Sequence, residues 1–246
     1  MPQGAVLSPT LFSIFINDIP SRYDNKRGRH TLLYADDLIF LATFGKTTKM
    51  VEKDANKYLD ELEKWSGLWR LKFVPQKCSY TVFSRYKKSN ATKVNLRLYD
   101  TRINEDKKPK FLGLVFDGRL TGKNHLEKIK KTCCSRLNII KLLTHKSWGL
   151  KKSTLVQIYK SLIRSIIEYT GLIYYGFCPE QRRELEVIQN SALTVIFNKK
   201  REDGTKNLLK LAGIESIKAR ICKLNKAYLR RSIRTENPLI VDLIEN

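Results

Sequence analysis

From Leu32 to Leu41 the chain reads Leu-Leu-Tyr-Ala-Asp-Asp-Leu-Ile-Phe-Leu, two apolar runs of strand length on either side of a carboxylate pair. Runs this short and this apolar predict buried strands, and the polar interruption predicts a tight hairpin carrying Asp36 and Asp37 at its turn. Upstream, Leu11, Phe12, Phe15, Ile16 and Ile19 repeat at helical spacing. With Ser8 as N-cap, Pro9 at the first helical position and Pro20 as the stop, they predict a helix from Pro9 to about Asp18. Downstream, Val51, Ala55, Tyr58, Leu59, Leu62, Trp65 and Trp69 recur at three- and four-residue steps. That stripe predicts an amphipathic helix from about Thr47 to Trp65, ended near Gly67 and packed against the sheet.

The pattern then becomes broken and extended. Leu71 to Val74 and Cys78 to Ser84 read as short extended pieces around Pro75. Val94, Leu96 and Leu98 alternate with polar residues, as a half-buried strand does. Lys110-Phe111-Leu112-Gly113-Leu114-Val115-Phe116-Asp117 reads as a strand turn at Gly113, or as a buried strand with a glycine bulge. From Asn124 onward the period is helical. One stripe runs through Leu126, Ile129, Cys133, Leu137 and Ile140, with Lys128, Lys130, Lys131, Arg136 and Lys141 facing outward. A second runs from Leu155 to Ile167, a third includes Leu185, Ile188, Ala192 and Val195, and a last one spans about Ile214 to Ile233. The fold class is therefore α+β, with a mixed region over 1–117 followed by an all-α bundle over 118–246.

Charge adds a partner. Lys and Arg number 47 against 24 Asp and Glu, for a net charge of +23 over 246 residues. Residues 118–246 hold 26 basic and 11 acidic residues. A basic helical half beside a carboxylate hairpin points to nucleic acid, the plainer reading being a lysine-rich soluble protein. Arg22, Lys26, Arg27, Arg29 and His30 form a basic loop ahead of the hairpin, suited to a phosphate backbone or simply solvated. The five cysteines are odd in number and show no Cys-x-x-Cys spacing, which reads as reduced thiols in an intracellular, nuclear or cytoplasmic protein. The three histidines are scattered, so no zinc site is proposed. The stretch after Pro9 lacks a basic start and contains Asn17 and Asp18, so it does not read as a secretory signal. The apolar stretch from Ile158 to Phe177 is interrupted by Lys160, Arg164 and Glu168, so it reads as a buried helix and not a membrane span.

The candidate chemistry sits at Asp36 and Asp37. Two adjacent carboxylates flanked by buried strands are costly unless a cation compensates them, and their oxygens suit magnesium with its bound phosphates; a solvated turn is the bland alternative. In the loop ahead of the first helix, Gly4 permits close approach of a backbone or ligand, and the Gln3 amide can hydrogen-bond a base or sugar.

Pro2-Gln3-Gly4 with Leu7-Ser8-Pro9, then Asn17-Asp18-Ile19-Pro20, then Tyr34-Ala35-Asp36-Asp37, resembles in order and spacing the reverse transcriptases of non-LTR (LINE-like) retrotransposons. The likeness extends to Lys110–Asp117, Ile188-Gln189-Asn190 and Leu211-Ala212-Gly213-Ile214. It implies a partial right-hand palm, an antiparallel sheet with helices, over 1–117 and a basic thumb and connection over 118–246. It implies that Asp36 and Asp37 hold two Mg2+ ions for nucleotidyl transfer, and that Gln3, Gly4 and Tyr34 line the nucleotide and template pocket. It further implies that Phe111, Leu112 and Gly113 form a primer grip, and that Lys77 of Pro75-Gln76-Lys77-Cys78 protonates the leaving pyrophosphate. Here the family's usual asparagine is replaced by Val74 or Pro75, and a surface lysine is the alternative for Lys77.

The implied partners are an RNA template, a DNA primer and deoxynucleoside triphosphates, with no membrane. The family carries one further aspartate on a palm strand before the Pro-Gln-Gly loop, and fingers ahead of it. The 246 residues begin inside that motif, so alone they are expected to lack one metal ligand, to be inactive and to leave a sheet edge unpaired. The other class of function is a catalytically dead nucleic-acid-binding remnant, which predicts salt-dependent RNA–DNA binding unchanged by Asp36→Ala.

Overall fold

In a computed structural model, residues 4–20, 23–24, 29–42, 48–84, 94–145, 149–199 and 204–235 are described, and they mix helices with short, mostly antiparallel strands, as an α+β chain does. The chain divides into two compact units, Met1–Phe111 and Leu112–Asn246.

The first unit contains helix α1 (Ser8–Phe15), strands β1 (Tyr23–Asp24), β2 (Arg29–Tyr34) and β3 (Asp37–Ala42), and helix α2 (Thr48–Trp69). Ser8 is the first helical residue and not the N-cap, which falls to Leu7; the α-helix stops at Phe15, and a turn carries the chain to Asp18. The three strands form an antiparallel sheet in the order β1-β2-β3. Arg29 and His30 thus belong to β2 and not to a loop, and the Arg29 guanidinium pairs with Asp54 of α2. Arg22, Lys26 and Arg27 lie outside the described residues.

Gly67 does not end α2, which continues to Trp69. The reason lies at the Asn17-Asp18-Ile19-Pro20 stretch. The Asp18 carboxylate accepts the indole N–H of Trp65 at 3.0 Å on one oxygen and that of Trp69 at 2.9 Å on the other. Trp69 also meets the Phe15 ring edge to face, centroids 5.0 Å apart. Tyr58 donates its hydroxyl to the Pro20 carbonyl at 2.9 Å, and Ile16 and Ile19 are buried with Tyr58, Leu62 and Trp65. The extra turn of helix gains one charge-assisted hydrogen bond, from Trp69 to Asp18, and an aromatic pair with Phe15 of α1, which together outweigh the roughly 1 kcal/mol that an interior glycine costs.

The remainder of the unit is irregular: β4 (Ser79–Tyr80), β5 (Arg97–Leu98), β6 (Thr101–Arg102), β7 (Asn104–Glu105) and β8 (Lys110–Phe111). β4 pairs with β7 in parallel and β5 with β6 antiparallel. Val94 and Leu98 are buried as their alternation predicts, but the strand is confined to Arg97 and Leu98. Side chains of α2 take the peptide groups that a strand neighbour would have used. Asn56 donates to the Asn95 carbonyl at 2.9 Å and accepts the Arg97 N–H at 3.1 Å, while Glu52 accepts the Asn95 N–H at 3.2 Å.

The second unit opens with β9 (Leu114–Val115) and continues as α3 (Lys123–Leu143), α4 (Lys152–Tyr159), α5 (Ser165–Tyr169), α6 (Pro179–Phe197), α7 (Thr205–Ala212) and α8 (Ile217–Arg234). One core unites them, with Cys133, Ile140, Tyr159, Ile163, Leu185 and Ile221 fully buried. Between α4 and α5 a π-turn, Lys160–Arg164, loosens the helical ladder, and Arg136 of α3 donates to the Leu162 carbonyl at 2.6 Å. The apolar stretch to Phe177 is not one helix: α5 stops at Tyr169 and two 3-10 turns follow. Among the described residues no helix is long and apolar enough to cross a membrane, and all five cysteines are unbridged. Tyr159 donates to Gln189 at 2.9 Å inside the core, and Gln189 donates to the Glu215 carbonyl at 3.4 Å. Gly213 caps α7 in the left-handed conformation, with the Ile214 N–H returning to the Leu209 carbonyl at 3.1 Å.

Candidate active site

The carboxylate pair is placed by the register of β2 and β3. Tyr34 lies opposite Asp37, Leu33 opposite Leu38, Leu32 opposite Ile39 and Thr31 opposite Phe40. The turn therefore consists of Ala35 and Asp36, and Asp37 is the first residue of β3 rather than a turn residue. Alternation then assigns faces. Leu38 and Phe40 pack into the core on α2, Phe40 stacking on Tyr58 with centroids 4.3 Å apart. Asp37 and Tyr34 lie on the other face with Leu32, Ile39 and Leu41, and Tyr34 is 63% exposed. Asp36 and Asp37 are both exposed, and among the described residues neither carboxylate has a hydrogen-bond or ion-pair partner.

Ala35 holds φ = 51°, a left-handed conformation that costs an L-residue about 1–2 kcal/mol. The two-residue connection forces it, because a longer loop would slip Leu38 and Phe40 off the core face. Ala35→Gly is therefore expected to raise stability by about 0.5–1 kcal/mol in urea unfolding, after the entropy that glycine adds to the unfolded chain is subtracted. A drop in stability of that size would show the turn to be unstrained.

The donor set fits a hard divalent cation: two adjacent, uncompensated carboxylates on a backed hairpin, with room left for phosphate oxygens and water. Among the described residues no group of three or more His, Cys, Asp or Glu side chains forms a complete metal cluster. Of the other candidates in this unit, Gln3 lies outside the described residues. Gly4 has φ = 89°, and a Cβ there would meet nothing within 4 Å, so conformation and not crowding by the protein calls for the glycine. Lys77 ends a single 3-10 turn, Pro75–Lys77, with its side chain exposed and its N–H on the Val74 carbonyl at 2.9 Å.

In the second unit, Leu112 and Gly113 form the turn ahead of β9, with φ of 44° and 80°. Three side chains hold it. Tyr169 donates its hydroxyl to the Leu112 carbonyl, Lys128 donates to the Gly113 carbonyl at 2.8 Å, and His125 Nδ1 accepts the Val115 N–H at 3.3 Å. A Cβ on Gly113 would sit 3.5 Å from the Tyr169 ring. Lys128 and Lys130 stay exposed, as the helical stripe predicts, while bonding the Gly113 carbonyl and Glu184; Arg136 is half-buried and reaches the Leu162 carbonyl. Nothing in the sequence pattern marked His125, Lys128 and Tyr169 as a set, or Asp18 as the anchor of two tryptophans. The four-residue spacing of Trp65 and Trp69, which puts both indoles on one helix face, is the signal that could have located the latter.

His125 is buried, and burial, followed by the Lys128 charge, holds its pKa below the ordinary histidine value. Accepting at Nδ1 requires the neutral ring, because a protonated imidazole has no acceptor. With the folded pKa depressed, the unfolded state takes up the proton first as pH falls. Stability of this unit is thus full above about pH 6.5, declines below it, and stops declining once the folded pKa is passed. Urea midpoints at pH 7.5 and 5.5 are expected to differ for the native chain and to converge in His125→Asn, whose side-chain oxygen accepts at both values. An equal difference in both proteins would assign the titration elsewhere.

Residues 1–116 match the family described as Reverse transcriptase (RNA-dependent DNA polymerase). The chain is 28% identical over 201 residues to a probable RNA-directed DNA polymerase from transposon BS of Drosophila melanogaster, covering 80% of this chain and 22% of that protein. It is 27% identical over 199 residues to the RNA-directed DNA polymerase from mobile element jockey of the same species, 78% of this chain and 21% of the relative. A probable polymerase from transposon X-element is 22% identical over 198 residues, covering 80% and 21%. The chain thus spans about a fifth of the length of these relatives, and no solved structure matches it. Residues 1–116 thus resemble the reverse transcriptase (RNA-dependent DNA polymerase) family, and about four-fifths of the chain is similar to RNA-directed DNA polymerases of mobile elements.

Proposed function

We propose that this chain supplies part of the catalytic palm and the duplex-gripping region of a mobile-element reverse transcriptase, which adds deoxynucleotides to a DNA primer on an RNA template. The observation that carries this is the pair of exposed, unpartnered carboxylates, Asp36 and Asp37, on a hairpin whose other face is fixed by the core. In this reading residues 1–117 are palm and 118–246 are thumb and connection.

Asp36 and Asp37 hold the metal ions, and the strained turn at Ala35 keeps their oxygens at one point of the sheet. When bound, two Mg2+ ions supply Lewis-acid activation of the primer hydroxyl and charge stabilisation at the leaving phosphate. Tyr34, beside Asp37 on the open face, abuts the nucleotide. Gln3 and Gly4 line the template side, the Gln3 amide presenting a donor and an acceptor to a base or sugar. Lys77, exposed on its short turn, carries the proton for the leaving pyrophosphate. The Phe111-Leu112-Gly113 turn steadies the primer end, its two carbonyls being committed to Tyr169 and Lys128, so that its remaining surface faces the primer.

The test is RNA-templated primer extension in Mg2+ by the polypeptide in which these residues are translated. Extension that stops when Mg2+ is chelated is the expected result. Salt-dependent RNA–DNA binding without extension, unchanged in Asp36→Ala, would assign the chain to binding alone.

A further inference from the structure

The bundle ties helix α8 down along its first half. Ile217 and Ile221 are fully buried, Arg220 pairs with Glu168 at 3.0 Å, and Asn225 donates to the Gly171 carbonyl at 2.9 Å. Beyond Asn225 only Ser232 is buried, and among the described residues no side chain from Lys226 to Arg234 has a hydrogen bond or ion pair. Tyr228, Leu229 and Ile233 are 45%, 45% and 53% exposed there. Leu229 and Ile233, one four-residue step apart, share a face with Lys226. Arg230, Arg231 and Arg234 are exposed around them, and α8 contains no acidic residue. Exposed apolar side chains set among cations fit a partner that is both apolar and acidic.

The chain carries such a partner directly after α8. Residues 236–246 lie outside the described residues and read Glu-Asn-Pro-Leu-Ile-Val-Asp-Leu-Ile-Glu-Asn. Their charged residues are Glu236, Asp242 and Glu245, all acidic, in a chain of net charge +23. Asn237 as N-cap and Pro238 at the first helical position predict a helix start. Leu239, Ile240, Leu243 and Ile244 then repeat on one helical face, with Val241, Asp242 and Glu245 on the others. From Pro238 to Glu245 such a helix is about 12 Å long, the same as the rise from Lys226 to Arg234. It is too short to hold its shape alone in water and needs a surface to pack on. The connection from Thr235 to Asn237 has the length that joins two antiparallel helices.

We propose that residues 238–245 fold back as a short helix on the second half of α8. Leu239, Ile240, Leu243 and Ile244 cover Leu229 and Ile233, and Asp242 and Glu245 sit among the α8 cations. Two arguments choose this occupant over a second copy of the chain or a lipid surface. A segment on so short a tether has a local concentration in the millimolar range, well above that of a micromolar protein in solution. An anionic lipid surface would cover α8 and leave the apolar face of 238–245 in water, whereas docking within the chain removes both from water at once. The inference uses only charge and apolar pattern and stands apart from the polymerase reading.

The experiment is amide hydrogen exchange on the full chain, followed by mass spectrometry of peptides from 226–235 and 236–246. Native chain is compared with Leu239→Asp/Leu243→Asp, with the reciprocal variant Leu229→Asp/Ile233→Asp, and with Val241→Asp, which lies on the opposite side of the short helix. The first variant is expected to speed exchange across 226–235, and the second across 236–246, by about tenfold or more, each in the segment that was not altered. Val241→Asp is expected to change either by less than about twofold. No acceleration in the unaltered segment, or an equal effect of Val241→Asp, would overturn the proposal. Protection that grows with protein concentration, alongside a dimer in sedimentation, would make the occupant a second copy and overturn it. Protection of 226–235 that appears only with phosphatidylserine vesicles would assign the face to a lipid surface and overturn it as well.

Discussion

If Asp36 and Asp37 hold the metal ions as proposed, Asp36→Asn and Asp37→Asn, each made in the polypeptide in which these residues are translated, are expected to lower RNA-templated primer extension by about 10³-fold or more, a loss of some 4 kcal/mol in transition-state stabilisation. The magnitude follows from what the side chains are asked to do. In a two-metal site the carboxylates have no chemistry of their own; they set the position and charge of the ions, and removing one charge perturbs both the attacking and the leaving oxygen. The substitution changes little else. Both side chains are exposed, and among the described residues neither has a hydrogen bond or ion pair to lose. Thermal unfolding of the variants is therefore expected to match the native chain within about 0.5 kcal/mol, as surface substitutions do. Extension retained within tenfold in both variants would remove the pair from catalysis.

The second large effect is on stability and comes from Asp18. Replacing it by alanine leaves two indole N–H groups without their charged acceptor. The Trp65 donor is in a residue only 6% exposed, so water cannot take over the bond, whereas Trp69 is 40% exposed and can be rehydrated. With hydrogen bonds to charged groups worth about 1.5–3 kcal/mol, Asp18→Ala is expected to cost about 2–4 kcal/mol in urea unfolding followed by tryptophan emission. Trp69→Phe keeps the ring against Phe15 and removes only the outer bond, so its cost should be about 0.5–1 kcal/mol. Because α1, α2 and β3 share one core through Tyr58 and Phe40, the loss at Asp18 also loosens the support of the carboxylate hairpin. If Asp18→Ala unfolds at the same urea concentration as the native chain, these bonds do not stabilise the unit.

Much of the architecture was legible because it is periodic. The stripes of α2, α3, α6 and α8 follow from residues that touch the core every three or four positions, and the hairpin follows from two apolar runs around a polar pair. What was illegible depends on polar contacts between distant residues. Asn56 and Glu52 satisfy the peptides of Asn95 and Arg97 and so cut short a strand that the alternation of Val94, Leu96 and Leu98 predicts. Gly67 reads as a helix stop until Trp69 is seen to share Asp18 with Trp65. Arg136 looks like an outward cation on the helical stripe, but it is half-buried and donates to the Leu162 carbonyl of the π-turn. The position of Asp37 in the strand rather than the turn is a matter of one residue of register, which the apolar pattern on both sides of the pair leaves open.

The central claim is that Asp36 and Asp37 together hold a divalent metal ion, and it is tested most directly on this chain by Mn2+-induced broadening of backbone amide resonances. The account predicts selective loss of the signals of Ala35 to Leu38 at low Mn2+, reversed by excess Mg2+ and absent in the double variant Asp36→Asn/Asp37→Asn. Broadening centred on another part of the chain, or unchanged by the double substitution, would contradict it.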